Sequence, residues 1–249
     1  MSAQSRAALR NACLLIVLML VCWQALYWVV GEVALRSPAE SFAYMGKLLG
    51  GEMIWPHLAE TSKAFVIALA IAGFGGLAVG FLLGFNRLAG EIFEPMLVAV
   101  YSIPKITLYP ILLLMFGLGM SAKVAFGAIH GIIPVTLFTI NAVRNVKPVL
   151  IKTGRVLDLS TADMVRSVLF PAALPEIFTG LRIGFALTLV GTLLGEMFAS
   201  QRGLGFLLMN AIGLHNIDLI MAITLLLVIV AATVSSVLLF YDRKLHQRI

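Results

Sequence analysis

The feature that most constrains this chain is a set of long apolar runs without charges. The clearest cover residues 12–30, 64–85, 124–143 and 219–241. Each lasts roughly the 20 residues that a helix needs to cross the hydrocarbon core of a bilayer. Two more runs are interrupted. Residues 95–118 contain Lys105, and residues 177–200 carry Arg182 and Glu196 near their two ends. Strands of a membrane barrel alternate over about 10 residues, and these runs do not. Only 12% of the 249 residues are charged, against about 25% in soluble domains. The expectation is an all-α polytopic membrane protein with six transmembrane helices.

The few charges carry the topology. With the N-terminus inside, Arg6, Arg10, Arg87, Arg144, Lys147, Lys152, Arg155, Arg166, Arg182, Arg243, Lys244 and Arg248 fall on the inner side. Arg36, Lys47, Lys63, Lys123 and Arg202 fall on the outer side, and Lys105 lies within a span. This bias predicts that both termini are cytoplasmic. The net charge of +6 therefore reads as orientation, not as a nucleic-acid surface. Arg6 and Arg10 before an apolar stretch imitate a signal peptide. The run 12–30 is too long for a typical signal core, and no small-x-small cleavage site follows closely. It reads as a retained first span. Cys13 and Cys22 are nine residues apart on that span, too far for a disulfide between them, and read as lipid-facing or packing residues.

Two connections are long. The outer segment 31–62 contains Leu48, Leu49, Met53, Ile54 and Trp55, enough for a short interfacial helix. Together with the first span it makes an N-terminal part, 1–60, ahead of a core, 61–245. The inner segment, about 144–176, holds five basic residues, Asp158, Asp163 and an apolar pattern at helical spacing. Long ordered connections usually carry function.

Gly76, Gly80 and Gly84 form a doubled G-x-x-x-G in the second apolar run, and Gly180/Gly184 and Gly191/Gly195 repeat it in the fifth. Glycines four apart share one helix face and allow close approach of another backbone. Close packing is the plain reading. A contact that shifts during a transport cycle is compatible with it.

Lys105 stands out. In a continuous helix from Glu94 it lies about 16 Å deep, near mid-membrane. A cation there costs at least about 2.5 kcal/mol unless it is paired or wet. Tyr101 and Tyr109 flank it at i−4 and i+4, and Pro104 and Pro110 interrupt the helix. Either these residues line a polar pathway favouring an anion, with Glu196 as a candidate partner of Lys105, or Lys105 is a structural or snorkelling cation. His57, His130, His215 and His246 have no metal-like spacing, and His130 reads as a hydrogen-bonded packing residue. No P-loop, G-x-S-x-G or H-E-x-x-H motif occurs. No catalytic residue and no metal site is expected.

The inner connection is similar to a known pattern. Lys152-Thr-Gly-Arg-Val-Leu-Asp158, then Val168-Leu-Phe-Pro171, follows the spacing of the EAA loop of ABC importer permeases. Lys152 stands at the usual Glu, Gly154 at the second Ala, Asp158 at the loop glycine and Phe170 at the Leu before the proline. Pro104-Lys-Ile-Thr-Leu-Tyr-Pro110, Phe116-Gly-Leu-Gly119 and Ser121-Ala-Lys123 resemble the nitrate/sulfonate/taurine-type branch. So do Pro171-Ala-Ala-Leu-Pro175, Gly180-Leu-Arg182, Gly195-Glu-Met-Phe198 and Gly203-Leu-Gly205. The resemblance covers about residues 60–245.

What the resemblance implies is a type I ABC importer permease in the bacterial inner membrane. It would pair with a second permease copy, a homodimer, and with two cytoplasmic ATPase subunits that bind ATP and Mg. An extracytoplasmic binding protein would deliver the solute. The chain itself would hold no cofactor and bind no nucleic acid. Lys152, Arg155, Leu157, Asp158, Leu159 and Pro171 are the expected coupling residues, with Tyr101, Lys105, Tyr109 and Glu196 in the pathway. The expected solute is a small anion. A vitamin or pyrimidine precursor is the alternative, and an ATPase-independent secondary transporter or channel is a further one.

Overall fold

A computed structural model describes residues 3–246, with side chains from Arg10 onward except those of Thr161 and Ala199. Among the basic residues used for topology, Arg248 lies outside the described residues, and Arg6 is described in its backbone alone. Every regular element among the described residues is helical. In chain order these are α1 (Ala3–Val30), α2 (Pro38–Gly50), α3 (Ile54–Phe85), α4 (Arg87–Ser102), α5 (Tyr109–Phe116), α6 (Met120–Arg144), α7 (Pro148–Val156), α8 (Thr161–Met164), α9 (Phe170–Ala199), α10 (Leu204–Gly213) and α11 (Ile217–His246).

Five segments are long and apolar enough to cross a membrane: Arg10–Val30, Ile54–Phe85, Met120–Arg144, Ala162–Phe198 and Ile217–His246. A sixth segment is bent, with the geometry of a broken span or of a re-entrant loop. α4 and α5, joined by a 3₁₀ turn at Lys105–Leu108, pass the same test together but bend by 88°. Pro104 explains the break. It forces Ile103 into an extended conformation, φ −67° and ψ 132°, because a residue before proline avoids the helical region. Pro110 falls in the first turn of α5, where a missing N–H costs nothing.

The chain divides into two compact units, 1–55 with 207–229, and 56–206 with 230–249. In the first, Ser37 caps α2 in a reciprocal box with Glu40, and Arg36 Nε meets Asp218 Oδ1 at 2.6 Å. α2 is a short helix within the segment 31–62. Cys13 and Cys22 on α1 are exposed and unbonded to each other.

The second unit is built around α6, the most buried span. Two glycine faces close on it. From α3, Gly76, Gly80 and Gly84 lie against Val135, Thr139 and Val143, a matching i,i+4 series on α6. A Cβ added at Gly76 would sit 2.7 Å from Val135 Cβ, and one at Gly84 2.9 Å from Val143 Cβ. From α9, Gly180 lies against Phe138, Gly184 against Val135, Gly191 against His130 and Gly195 against the Lys123 backbone. Side chains and carbonyl groups of α6 leave no room for a Cβ at these positions, so the glycine faces of α3 and α9 approach α6 closely. His130 is the packing residue the sequence suggests. Its Nδ1 lies 2.8 Å from the Phe126 carbonyl oxygen, and its ring meets Phe126 edge-on.

The long connection differs from expectation in its second half. The sequence places the start of the fifth apolar run at 177. Instead the helix already starts at Thr161. A π-helical turn, Val165–Leu169, leads directly into α9, with the Phe170 N–H bonded to the Val165 carbonyl. Such a widened turn re-routes the backbone hydrogen bonds around a proline. Pro171 then sits in the first turn of α9.

Candidate functional site

Three constellations lie in the second unit, and the first is the knuckle after α7. The helix ends in a Schellman motif. The Leu159 N–H bonds the Gly154 carbonyl at 3.1 Å, and the Asp158 N–H bonds that of Arg155 at 3.0 Å. Asp158 occupies the left-handed position, φ 53°, which glycine normally fills and which Asp tolerates better than most residues. Gly154 is buried where Met164 and Leu159 close over it. Around this turn Val149, Lys152, Arg155, Val156, Leu157 and Asp158 are exposed, a face both basic and apolar. An apolar groove of about 300 Å³ runs beside it, lined by Leu150, Thr153, Leu157, Leu159, Val168 and Pro171 among others. The turn thus brings five of the six expected coupling residues, from Lys152 to Leu159, around one corner. Pro171 lines the adjoining groove.

The second is the break at Lys105. Its Nζ donates to the Tyr101 carbonyl at 3.0 Å and stands 4.6 Å above the Tyr101 ring, a cation–π contact. The helix expected to carry Lys105 to mid-membrane does not continue through it. Tyr109 lies beyond the bend and leaves the stripe of Tyr101 and Lys105. Its ring packs edge-on against Phe126, and its hydroxyl donates to the Gly195 carbonyl at 2.9 Å. Glu196 is likewise elsewhere. The partner expected for it was Lys105, and the cation beside it is Lys123.

Lys123 forms the third constellation. Sequence counting assigned it to the outer side, just ahead of an apolar run. It lies in the first turn of α6, is 1% exposed, and its Nζ sits 3.8 Å from Glu196 Oε1. All three ammonium hydrogens have acceptors: Glu60 Oε1 at 2.9 Å, Ser200 Oγ at 3.1 Å and the Arg202 carbonyl at 3.1 Å. Glu196 is fully buried and is held from other sides. Thr61 Oγ1 donates to it at 2.8 Å, and the Gly205 N–H at 3.0 Å. Thr61 Oγ1 in turn accepts from the Leu204 N–H at 2.8 Å. The carboxylate therefore sits over the first turn of α10, where free N–H groups favour an anion. Gly203, at φ 128°, makes this possible. A Cβ there would strike the Glu196 carboxylate, and only glycine adopts that backbone readily. His57 Nδ1 accepts from the Gly203 N–H at 3.2 Å, and its ring stacks on Phe206. One network thus ties α3, α6 and α9 to the turn before α10. A signal for it exists in the sequence: Glu60, Lys123, Glu196 and Arg202 all fall at ends of apolar runs on one predicted side.

No group of His, Cys, Asp and Glu among the described residues has metal-holding geometry. The geometry is that of a membrane scaffold with a buried charge network at one end of α6 and an exposed basic and apolar corner at the other. A family profile described as the inner membrane component of binding-protein-dependent transport systems matches residues 75–249. The chain belongs to this family. The permease is 32% identical over 220 residues to the riboflavin transport system permease protein RibX of Chloroflexus aurantiacus, covering 88% of this chain and 82% of that one. It is 30% identical over 178 residues to the taurine transport system permease protein TauC of Escherichia coli, covering 72% and 65%. Its fold matches a solved inward-facing structure of the MetNI methionine ABC transporter with a TM-score of 0.65 at 20% identity, over 78% of this chain and 99% of that one. The permease thus has the type I ABC importer fold and is an importer's membrane subunit.

Proposed function

We propose that the permease forms the translocation pathway of an ATP-driven importer for a small anionic solute. It works as a homodimer in the bacterial cytoplasmic membrane, with both termini in the cytoplasm. Two separate ATPase subunits bind ATP and Mg, and an extracytoplasmic binding protein delivers the solute. The observation that carries this reading is the exposed corner at α7. A basic and apolar turn, rigidly capped by its own backbone, needs a partner to cover Val156 and Leu157, which are 85% and 66% exposed. Lys152, Arg155, Leu157, Asp158, Leu159 and Pro171 form that contact.

 The pull of ATP closure on this corner passes directly into α9 through the continuous helix from Thr161. Glycine-faced helices suit the resulting shift between inward-facing and outward-facing states, since close backbone contacts re-register at low side-chain cost. Tyr101 and Lys105 line the pathway at the bend, and Tyr109 and Glu196 brace its wall.

The test is co-purification of the permease with a soluble ATPase in equal number, followed by solute-stimulated ATP hydrolysis in lipid vesicles. Lys152→Glu should lower that stimulation severalfold. Full stimulation in the variant would remove the α7 corner from coupling. A second reading is favoured by the 32% identity to a riboflavin permease protein: the solute is a vitamin or pyrimidine precursor. Competition between an organosulfonate and riboflavin for uptake decides between the two.

A further inference from the structure

We propose that the cleft beside Lys123 is an entry site for the oxyanion headgroup of a solute, with Glu60 as the built-in occupant that the headgroup displaces. This deepens the importer reading, on which it rests, by assigning a first binding site and its chemistry.

The cleft holds about 550 Å³ and is lined by Glu60, Lys123, Phe198, Ser200 and Arg202 among others. That is within the range of small-ligand sites. The ammonium of Lys123 is almost fully buried, so it must keep a counter-charge at all times. Its two carboxylates are not equivalent. Glu196 is fully buried and locked by Thr61 and the Gly205 N–H. Glu60 is 29% exposed, and Lys123 is its one side-chain partner among the described residues. Glu60 is therefore the replaceable anion. A carboxylate or sulfonate entering the cleft takes over its bond to Lys123, while Glu60 swings to water and regains hydration. The cation never stands unpaired during the exchange.

The rest of the cleft agrees in sign. Arg202 lines it, and no acidic side chain among the described residues pairs with the Arg202 guanidinium. The Ser200 hydroxyl supplies a further polar contact, and Phe198 an apolar wall for the remainder of the solute. A cationic solute cannot take the place of Glu60, since it would bring a like charge to Lys123. A neutral one offers no charge to replace Glu60. Lys123 also lies 21 residues before Arg144 on α6, about 32 Å along the helix. The cleft is thus at the end remote from the α7 corner, where a solute would enter in the proposed orientation.

The experiment titrates methanesulfonate, with methylammonium as the cationic control, into the full-length permease in lipid nanodiscs at fixed ionic strength. The wild-type protein should bind methanesulfonate and not methylammonium. Glu60→Gln should bind methanesulfonate at least tenfold more tightly, because the internal competitor is gone. Lys123→Met combined with Glu196→Gln, which leaves no buried charge unpaired, should lose binding. Glu60→Asp, whose carboxylate retreats from Lys123, gives the same direction as Glu60→Gln if the latter folds poorly. Unchanged or weaker methanesulfonate binding in the Glu60 variants overturns the proposal, as does equal binding of methylammonium. The titration needs no ATPase. Loss of ATP-driven uptake in the assembled complex with binding intact would count against the importer reading alone.

Discussion

The ammonium of Lys123 lies 3.8 Å from the carboxylate of Glu196, and both side chains are sealed from solvent at 1% and 0% exposure. The pair joins α6 to α9 at a point where Gly195 brings the two backbones together. Burying two charges is costly, and the cost is met only while both are present and fully hydrogen-bonded.

Breaking this pair should be strongly destabilising. Lys123→Met leaves Glu196 buried without its cation, and the expected loss is about 3–5 kcal/mol. Adding Glu196→Gln to the same chain removes the orphaned charge and should restore much of that loss. Thermal unfolding of the single and double variants in one detergent measures the coupling. Additive losses would mean that the two groups do not sense each other.

The two kinds of glycine should respond in opposite directions. Gly80 on α3 faces Thr139 on α6 with no room for a Cβ. Gly80→Ile should cost about 1–3 kcal/mol by overpacking, or prevent assembly of the helices. Gly46 in α2 has nothing within 4 Å of an added Cβ and has ordinary helical backbone. Gly46→Ala should therefore stabilise α2 by about 0.5–1 kcal/mol. Unfolding midpoints compared within one preparation check both signs.

The turn at Asp158 can be tested through its backbone. Its φ of 53° costs a non-glycine residue roughly 1–2 kcal/mol. Asp158→Gly should keep the Schellman motif and protect the Leu159 amide more strongly against hydrogen exchange. Asp158→Val, a branched residue at positive φ, should loosen the same turn. Equal protection in all three proteins would show that this corner is not set by the left-handed position.

Some of this was legible in the sequence and some was not, for identifiable reasons. The glycine faces could be read because i,i+4 spacing is a local signal, and α3 and α9 use them as their spacing suggests. The turn at Asp158 was legible from its place at the loop glycine. The break near Lys105 was legible in the prolines, but its 88° angle depends on how α5 packs against α6, which no local pattern encodes. The burial of Lys123 was not legible, because counting charges for topology assigns a lysine at the edge of an apolar run to a side and says nothing of what surrounds it. Its partners, Glu60, Glu196, Ser200 and Arg202, lie more than 60 residues away in sequence. The helical start of α9 was hidden because Pro171 and Pro175 normally end helices, and the π turn that accommodates Pro171 has no sequence mark of its own.

The last prediction concerns pH and the cap of α2. Glu40 accepts from the Ser37 hydroxyl at 2.7 Å and from the Ser37 N–H at 3.1 Å, while its own N–H donates to Ser37 Oγ at 3.3 Å. The hydrogen bond from the Ser37 side chain, then that from its backbone, holds the Glu40 carboxyl below its ordinary value of 4.5. A carboxylate with a lowered pKa in the folded state stabilises that state above its unfolded value. That contribution should be complete above pH 4.5 and should fade as the pH falls through the lower, folded value. The first turn of α2 should then fray at acid pH, seen as faster hydrogen exchange at the Glu40 and Ser41 amides after correction for intrinsic rates. Glu40→Gln keeps the shape of the capping box but not its charge. In that variant the exchange at these amides should no longer respond to pH in this window, and an unchanged response would place the titrating group elsewhere.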